Sequence, residues 1–229
     1  MSSKRFSKLP EDSRLLEPST FEKLIPAIKK NCTVKFDESI DLNLQINNKQ
    51  KKGEVNLRTV VNMPGGTGKK IKVAVVCEES KSKDAKDAGA DIVGADDFIE
   101  KIKGGDLNFE KLICTPSMMI KLSKLGKILG PKGLMPNPKL GSVTEDLKKA
   151  VNDAKSGQVE IKNDKDGNIG LTLGKKSFTD EKLLKNFNAV FETLEREKGN
   201  NTLKGELIKN AYLTSTMGVS YKLKLPKNI

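Results

Sequence analysis

The sequence predicts two folds in one chain: an antiparallel α+β domain built from both ends, 1–65 and 157–229, and an α/β domain, 66–156, inserted between them. Three observations carry this. Near both ends apolar and polar residues alternate with period two, the mark of strands with one wet face. The run 71–77 is almost continuously apolar, as a strand covered on both faces is, and it opens a regular alternation of strands and helices. The pattern switches at Pro64-Gly65-Gly66-Thr67-Gly68 and again near Gly157.

Taken in order, Ser19-Thr20-Phe21-Glu22 fits a capping box, and Phe21, Leu24, Ile25 and Ile28 then recur at helical spacing, which predicts a helix over 20–31. Ile40, Leu42, Leu44 and Ile46 alternate with Asp41, Asn43 and Gln45; Val55, Leu57, Thr59, Val61 and Met63 repeat the pattern after a polar turn. Two paired antiparallel strands are expected here. The middle reads as strand 71–77, helix 81–88, strand 91–93, helix 96–103, strand 112–115 and helix 117–124, a βαβ series with a small parallel sheet and right-handed crossovers. Four glycines and three prolines break regular structure over 126–141, and helix 144–155 closes the unit. The last segment predicts a hairpin, 159–162 with 169–173 around Asn163-Asp164-Lys165-Asp166-Gly167. A long amphipathic helix over 180–197 and closing strands over 206–213 and 219–225 complete it.

Composition narrows the chemistry. The 229 residues contain no histidine, which removes histidine acid–base catalysis, histidine metal ligation and the Ser-His-Asp and Cys-His arrangements together. No catalytic constellation and no metal or cofactor site is expected. Cys32, Cys77 and Cys114 are odd in number and sit among apolar or β-prone neighbours, which predicts buried free thiols in a reducing cytoplasm. No apolar run approaches the ~20 residues of a membrane span. Forty-two Lys and Arg against 30 Asp and Glu give +12, a balance that suits a polyanionic partner. Residues 1–65, 66–156 and 157–229 carry +4 each, so charge alone does not choose a binding domain, and a generic lysine-rich surface reads the same way.

Gly65-Gly66-Thr67-Gly68-Lys69-Lys70 invites a phosphate-loop reading, but the first glycine of that pattern is missing and Lys70 stands where a Ser or Thr belongs. A flexible interdomain crossing is the expected role. The stretch Leu129-Gly130-Pro131-Lys132-Gly133-Leu134-Met135-Pro136-Asn137-Pro138-Lys139 is basic and conformationally fixed; it suits packing at a domain boundary as well as RNA contact. Lys35-Phe36, Lys162-Asn163-Asp164-Lys165 and Thr214-Ser215-Thr216-Met217-Gly218 offer cations for phosphates, hydroxyls for riboses and a glycine for close backbone approach. Each is weak alone: a phenylalanine such as Phe36 is more often core, and Thr216-Met217-Gly218 also reads as a simple turn.

Five stretches in this order resemble the family of bacterial ribosomal protein L-one: Lys35-Phe36-Asp37-Glu38-Ser39-Ile40-Asp41, Pro64-Gly65-Gly66-Thr67-Gly68-Lys69, Ala88-Gly89-Ala90-Asp91-Ile92-Val93-Gly94, the 129–139 loop, and Ser215-Thr216-Met217-Gly218. The resemblance covers nearly the whole chain, leaving out the first 18 residues. It implies a discontinuous RNA-binding domain and an inserted Rossmann-like three-layer domain joined by a hinge. It further implies a structural, non-enzymatic constituent of the large ribosomal subunit, monomeric when free, with no membrane contact. Its implied partners are 23S rRNA, exit-site tRNA whose release it assists, and its own operon mRNA, which it represses. The RNA-contacting positions carried over are Lys35, Phe36, Ser39, Lys162, Asn163, Lys165, Thr214, Thr216, Met217 and Gly218, with Phe36 and Met217 supplying shape. The residues alone rank a two-domain nucleic-acid binder first and a Rossmann-like transferase second.

Overall fold

The computed structural model describes residues 18–47, 57–105, 107–200 and 206–225. In chain order its elements begin with helix α1 (Phe21–Asn31) and strands β1 (Ser39–Ile46), β2 (Arg58–Asn62) and β3 (Val73–Val76). Then come α2 (Ser82–Asp87), β4 (Ile92–Gly94), α3 (Asp96–Lys103), β5 (Lys111–Cys114), α4 (Pro116–Ser123), α5 (Gly126–Leu129) and α6 (Leu147–Lys155). The chain closes with β6 (Gln158–Lys162), β7 (Asn168–Lys175), α7 (Asp180–Asn200), β8 (Ile208–Ser215) and β9 (Ser220–Lys222). The described residues fall into two compact units, one drawn from residues up to Gly68 and from Val159 on, the other from Lys69–Gln158.

In the first unit β1 is central in a four-stranded sheet of order β7-β1-β8-β9, antiparallel at each pairing. Its alternation does what the sequence suggests: Ile40, Leu42, Leu44 and Ile46 are buried while Asn43 is exposed. The buried set shares one core with Phe21, Leu24, Ile25 and Ile28 of α1 and with Leu183, Phe187, Val190, Phe191 and Leu194 of α7. Phe21 stacks on Phe187 with ring centroids 4.1 Å apart, so residues from the two chain ends meet in the same layer. At roughly 1.5–3 kcal/mol for each fully buried large apolar side chain, neither end holds its sheet face dry without the other.

Three local expectations are corrected. β2 does not pair with β1; both edges of β1 are hydrogen-bonded already, by β7 and β8, and β2 pairs with β6 in a two-stranded sheet. The 159–173 hairpin is therefore divided, β6 joining β2 and β7 joining β1, although Asp164 and Asn168 still close the turn between them. Period two reports a wet face and says nothing about which strand is the partner. The capping box does not form either. Thr20 occupies the N-cap of α1 without a side-chain cap bond, and Ser19 bridges to Leu223, its carbonyl accepting from the Lys224 amide.

The second unit is a parallel sheet of order β4-β3-β5. β3 is buried along its length, and successive residues face opposite cores. Ala74 and Val76 join Phe98, Ile102, Met118, Leu122 and Leu129 from α3, α4 and α5; Val73 and Val75 join Ala85, Leu147, Val151 and Ala154 from α2 and α6. That is a three-layer sandwich. The 126–141 stretch is less irregular than its composition suggests, because Gly126–Leu129 forms a helical turn.

The glycine-rich crossing is held, not loose. The side chain of Asn186, fully buried on α7, accepts from the Gly65 amide at 2.7 Å and donates to the carbonyls of Gly66 at 2.9 Å and Leu173 at 2.7 Å. The Gly66 amide donates to Met63. These amides are spent on the protein itself, which disposes of a phosphate cradle there.

Candidate nucleic-acid interface

The predicted positions gather at one end of the four-stranded sheet. Where β1 starts and β8 ends, the register pairs Ile40 with Ser215. One residue further out, the Ser39 amide donates to Thr216 Oγ1 at 2.9 Å and the Thr216 amide donates back to the Ser39 carbonyl at 3.1 Å. Thr216 thereby extends the ladder with its side chain. The chain then turns, the Gly218 amide donating to the Ser215 carbonyl at 3.1 Å. A Cβ on Gly218 would stand 2.2 Å from Ser215 Oγ, so a larger residue there has to displace that buried hydroxyl or move the turn.

Beneath the turn lies Glu38, with no solvent exposure. Its Oε2 accepts from the Met217 amide at 3.0 Å and its carbonyl accepts from the Lys176 amide at 2.8 Å; its Oε1 has no hydrogen-bond partner among the described residues. A buried carboxylate thus ties the 35–39 loop to the 215–218 turn. The Cys32 thiol sits in the same pocket. Burial raises it above its ordinary range, the Ser215 hydroxyl opposes that, and Glu38 adds to it, so the thiol stays neutral and unreactive.

On this braced base two apolar side chains face solvent. Phe36 is 53% exposed and Met217 46%. Phe36 is therefore not core. Phe36 on the loop and Met217 on the turn present exposed apolar surface that a partner can cover. Lys35 is exposed beside them, and Lys175 Nζ donates to Ser39 Oγ at 2.9 Å. Thr214 lies one step inside on the open sheet face, accepting from Asn43 Nδ2 at 3.4 Å; Thr172 donates to Asp41 at 2.7 Å on the same face. Tyr212 shares that face, two residues before Thr214. The surface combines cations, hydroxyls and exposed apolar groups, the set that folded RNA is held by.

Lys162, Asn163 and Lys165 are not part of this cluster. The β1–β7 register runs from Ser39 opposite Lys175 to Gln45 opposite Asn168, so the 163–167 turn lies beyond the far end of β1, about 20 Å from Ser39 at ~3.4 Å per residue. Asn163 is engaged internally: its Oδ1 accepts from the Leu57 amide at 2.7 Å and its Nδ2 donates to the Asp164 carbonyl at 3.0 Å. Lys162 and Lys165 are exposed. Asp164, capped by the Asn168 backbone and side-chain amides, has its carboxyl held below the usual range.

A family model described as Ribosomal protein L1p/L10e matches residues 28–219. The chain belongs to this family. Its members are ribosomal proteins, so the role is structural and not catalytic. The chain is 72% identical to the Large ribosomal subunit protein uL1 of Pelagibacter ubique (strain HTCC1062) over 229 residues, all of both chains. It is 45% identical to that of Rickettsia akari (strain Hartford) over 221 residues, 95% of this chain and 92% of the relative. To that of Rickettsia africae (strain ESF-5) it is 46% identical over 201 residues, 88% and 84%. No described helix is long and apolar enough to cross a membrane.

Sequence reasoning missed Lys175 and Tyr212, and it assigned no role to Glu38 or Ser215, which lie inside the 35–41 and 214–218 stretches. A glutamate between Asp37 and Ser39 reads as wet loop. Lys175 reaches the site only through the β1–β7 register, for which the sequence carries no local signal.

Proposed function

We propose that this ribosomal protein is a constituent of the bacterial large subunit, in the cytoplasm, and that it grips 23S rRNA with the Ser39/Thr216 end of its four-stranded sheet. The observation that carries the reading is the pair of exposed apolar side chains, Phe36 on the 35–39 loop and Met217 on the 215–218 turn, two segments tied together by Thr216 and the buried Glu38. A preformed surface of this kind binds by shape and by ribose and phosphate contact, with little ordering cost. Lys35 and Lys175 supply the charge there, and Lys162 and Lys165 a second, distant phosphate contact. In this reading both chain ends form the rRNA-binding domain, 1–65 with 157–229, and 66–156 is the insertion.

The finer roles belong to the same proposal. A site that reads shape accepts any RNA presenting that shape, which supports repression of the protein's own operon through an rRNA-like site in the messenger. Assistance in releasing deacylated tRNA from the exit site is part of the proposal because the resemblance to the bacterial L-one family implies it. The test is capture of the tagged protein from lysate and sequencing of the bound RNA. A 23S segment enriched above all other RNA is expected, with a weaker messenger segment of similar fold; no 23S enrichment refutes the reading.

A further inference from the structure

The net charge of the second unit is concentrated in one stretch. Residues 69–158 contain 17 lysines and 13 acidic residues, but within 115–144 there are five lysines and no Asp or Glu, leaving 12 against 13 for the rest. Met118, Leu122, Leu125 and Leu129 are buried at spacings of four, three and four through α4, the turn after it and α5. The exposed residues Ile120, Lys124 and Lys127 follow the same spacing two positions on, which puts them on the side away from the core along α4 and the turn into α5, and Pro131 is exposed just past the end of α5. Lys132 is exposed next to it. Lys121 is tied to Asp96 at 2.7 Å, but Lys124, Lys127 and Lys132 make no ion pair among the described residues.

The platform under the lysines is firm. The Leu134 amide donates to Leu129 and the Gly133 amide to Gly130, with Gly133 in the left-handed region. Ser142 Oγ accepts from the Asn137 amide at 2.8 Å and donates to the Asn137 carbonyl at 3.0 Å, closing the loop on itself. Ile120, the first of the outward residues, is 74% exposed.

The geometry points to a second RNA-binding surface, formed by Lys124, Lys127, Lys132 and Ile120, that takes the sugar–phosphate backbone of an RNA other than the segment held by the first unit. The surface has no arginine and no aromatic. Lysine meets phosphate as a point charge, and a row of like charges with no acidic neighbour in the stretch matches a polyanion. Without a stacking ring or a base-reading fork it is tolerant of sequence. The choice of RNA among phosphate polymers rests on the ribosomal reading above.

The test uses the full chain saturated with a 23S rRNA fragment, then titrated with a short single-stranded RNA of unrelated sequence over a salt series. The wild type is expected to bind the second RNA with a log–log salt dependence. In Lys124→Gln/Lys127→Gln/Lys132→Gln that slope falls by about two, at ~0.7 per phosphate contact on single strands, and affinity drops at least tenfold, while the 23S fragment binds as before. Lys83→Gln/Lys86→Gln/Lys103→Gln, from the mixed-charge remainder of the unit, leaves the second event intact. Equal second binding in wild type and the first variant, equal loss in both variants, or displacement by polyglutamate or anionic vesicles at lower concentration than by RNA overturns the proposal. Should the 23S fragment fail to bind at all, the function proposed above fails, and the same titration on the free chain still decides this surface.

Discussion

Replacing Gly218 with alanine tests how the 215–218 turn is held. The new Cβ would lie 2.2 Å from Ser215 Oγ, while Ser215 Cβ and its amide nitrogen stay at 3.5 and 3.9 Å. One atom is therefore in the way, and it must move by roughly 1 Å to reach ordinary contact. Rotating the serine removes the overlap but takes its hydroxyl off the Cys32 thiol in a buried pocket; shifting the turn instead stretches the Met217–Glu38 bond. Either route costs about 1–3 kcal/mol. The turn is at an exposed edge, so the second route is the easier, and the loss appears in RNA affinity, on the order of 10- to 100-fold, with a smaller change in urea unfolding. Ser215→Ala removes the obstructing atom. In that background Gly218→Ala should cost less than about 0.5 kcal/mol in both filter binding and unfolding, a coupling that a double-mutant cycle measures. Equal losses in the two backgrounds would refute the steric account.

Glu38→Ala leaves the Met217 amide without its acceptor and should weaken rRNA binding and lower stability by about 2–3 kcal/mol, whereas Glu38→Gln, which keeps an acceptor and removes a buried charge with an unpartnered oxygen, should retain most of both in the same assays. Asn186→Ala frees the Gly65 and Gly66 backbone groups and should cost about 2–4 kcal/mol in denaturant unfolding, with amide exchange at Gly65 accelerated; unaltered exchange there would show that the crossing is held by something else. Burial pushes the Cys114 thiol up from 9.0 to about 11. Because the folded state favours the protonated thiol, this contribution is complete below pH 9 and is lost as pH rises through 11; Cys114→Ala should flatten the alkaline limb of the wild-type stability curve between those values, and an unchanged limb would count against it.

Much of the architecture was legible because it rests on periodicity. The 3.6-residue spacing of Phe21, Leu24, Ile25 and Ile28, the alternation from Ile40 to Ile46 and the apolar run through Val73–Val76 each report one buried face, and the structure buries those faces. Partner choice was not legible. Nothing in β2 or β6 says that they pair with each other, since the competition is settled by which edges β7 and β8 leave open on β1. The site divides in the same way. Thr216, Met217 and Gly218 are neighbours in sequence, and their motif marked them. Glu38 and Lys175 join them through long-range pairing, and Asn163 bonds Leu57 across 106 residues of chain, a contact that no local pattern announces.

The central claim is that Phe36 and Met217 grip 23S rRNA by shape, and filter binding of Phe36→Ala/Met217→Ala across a salt series tests it most directly. Neither residue is charged. The account predicts a loss of about 10- to 100-fold in affinity at every salt concentration, from about 1–3 kcal/mol of lost apolar contact, with the log–log slope equal to that of the wild type because no phosphate contact is removed. Lys35→Ala should do the converse, lowering the slope by up to about one. Wild-type affinity in the Phe36/Met217 variant, with its fold intact by circular dichroism, would contradict the account and place the rRNA elsewhere on the protein.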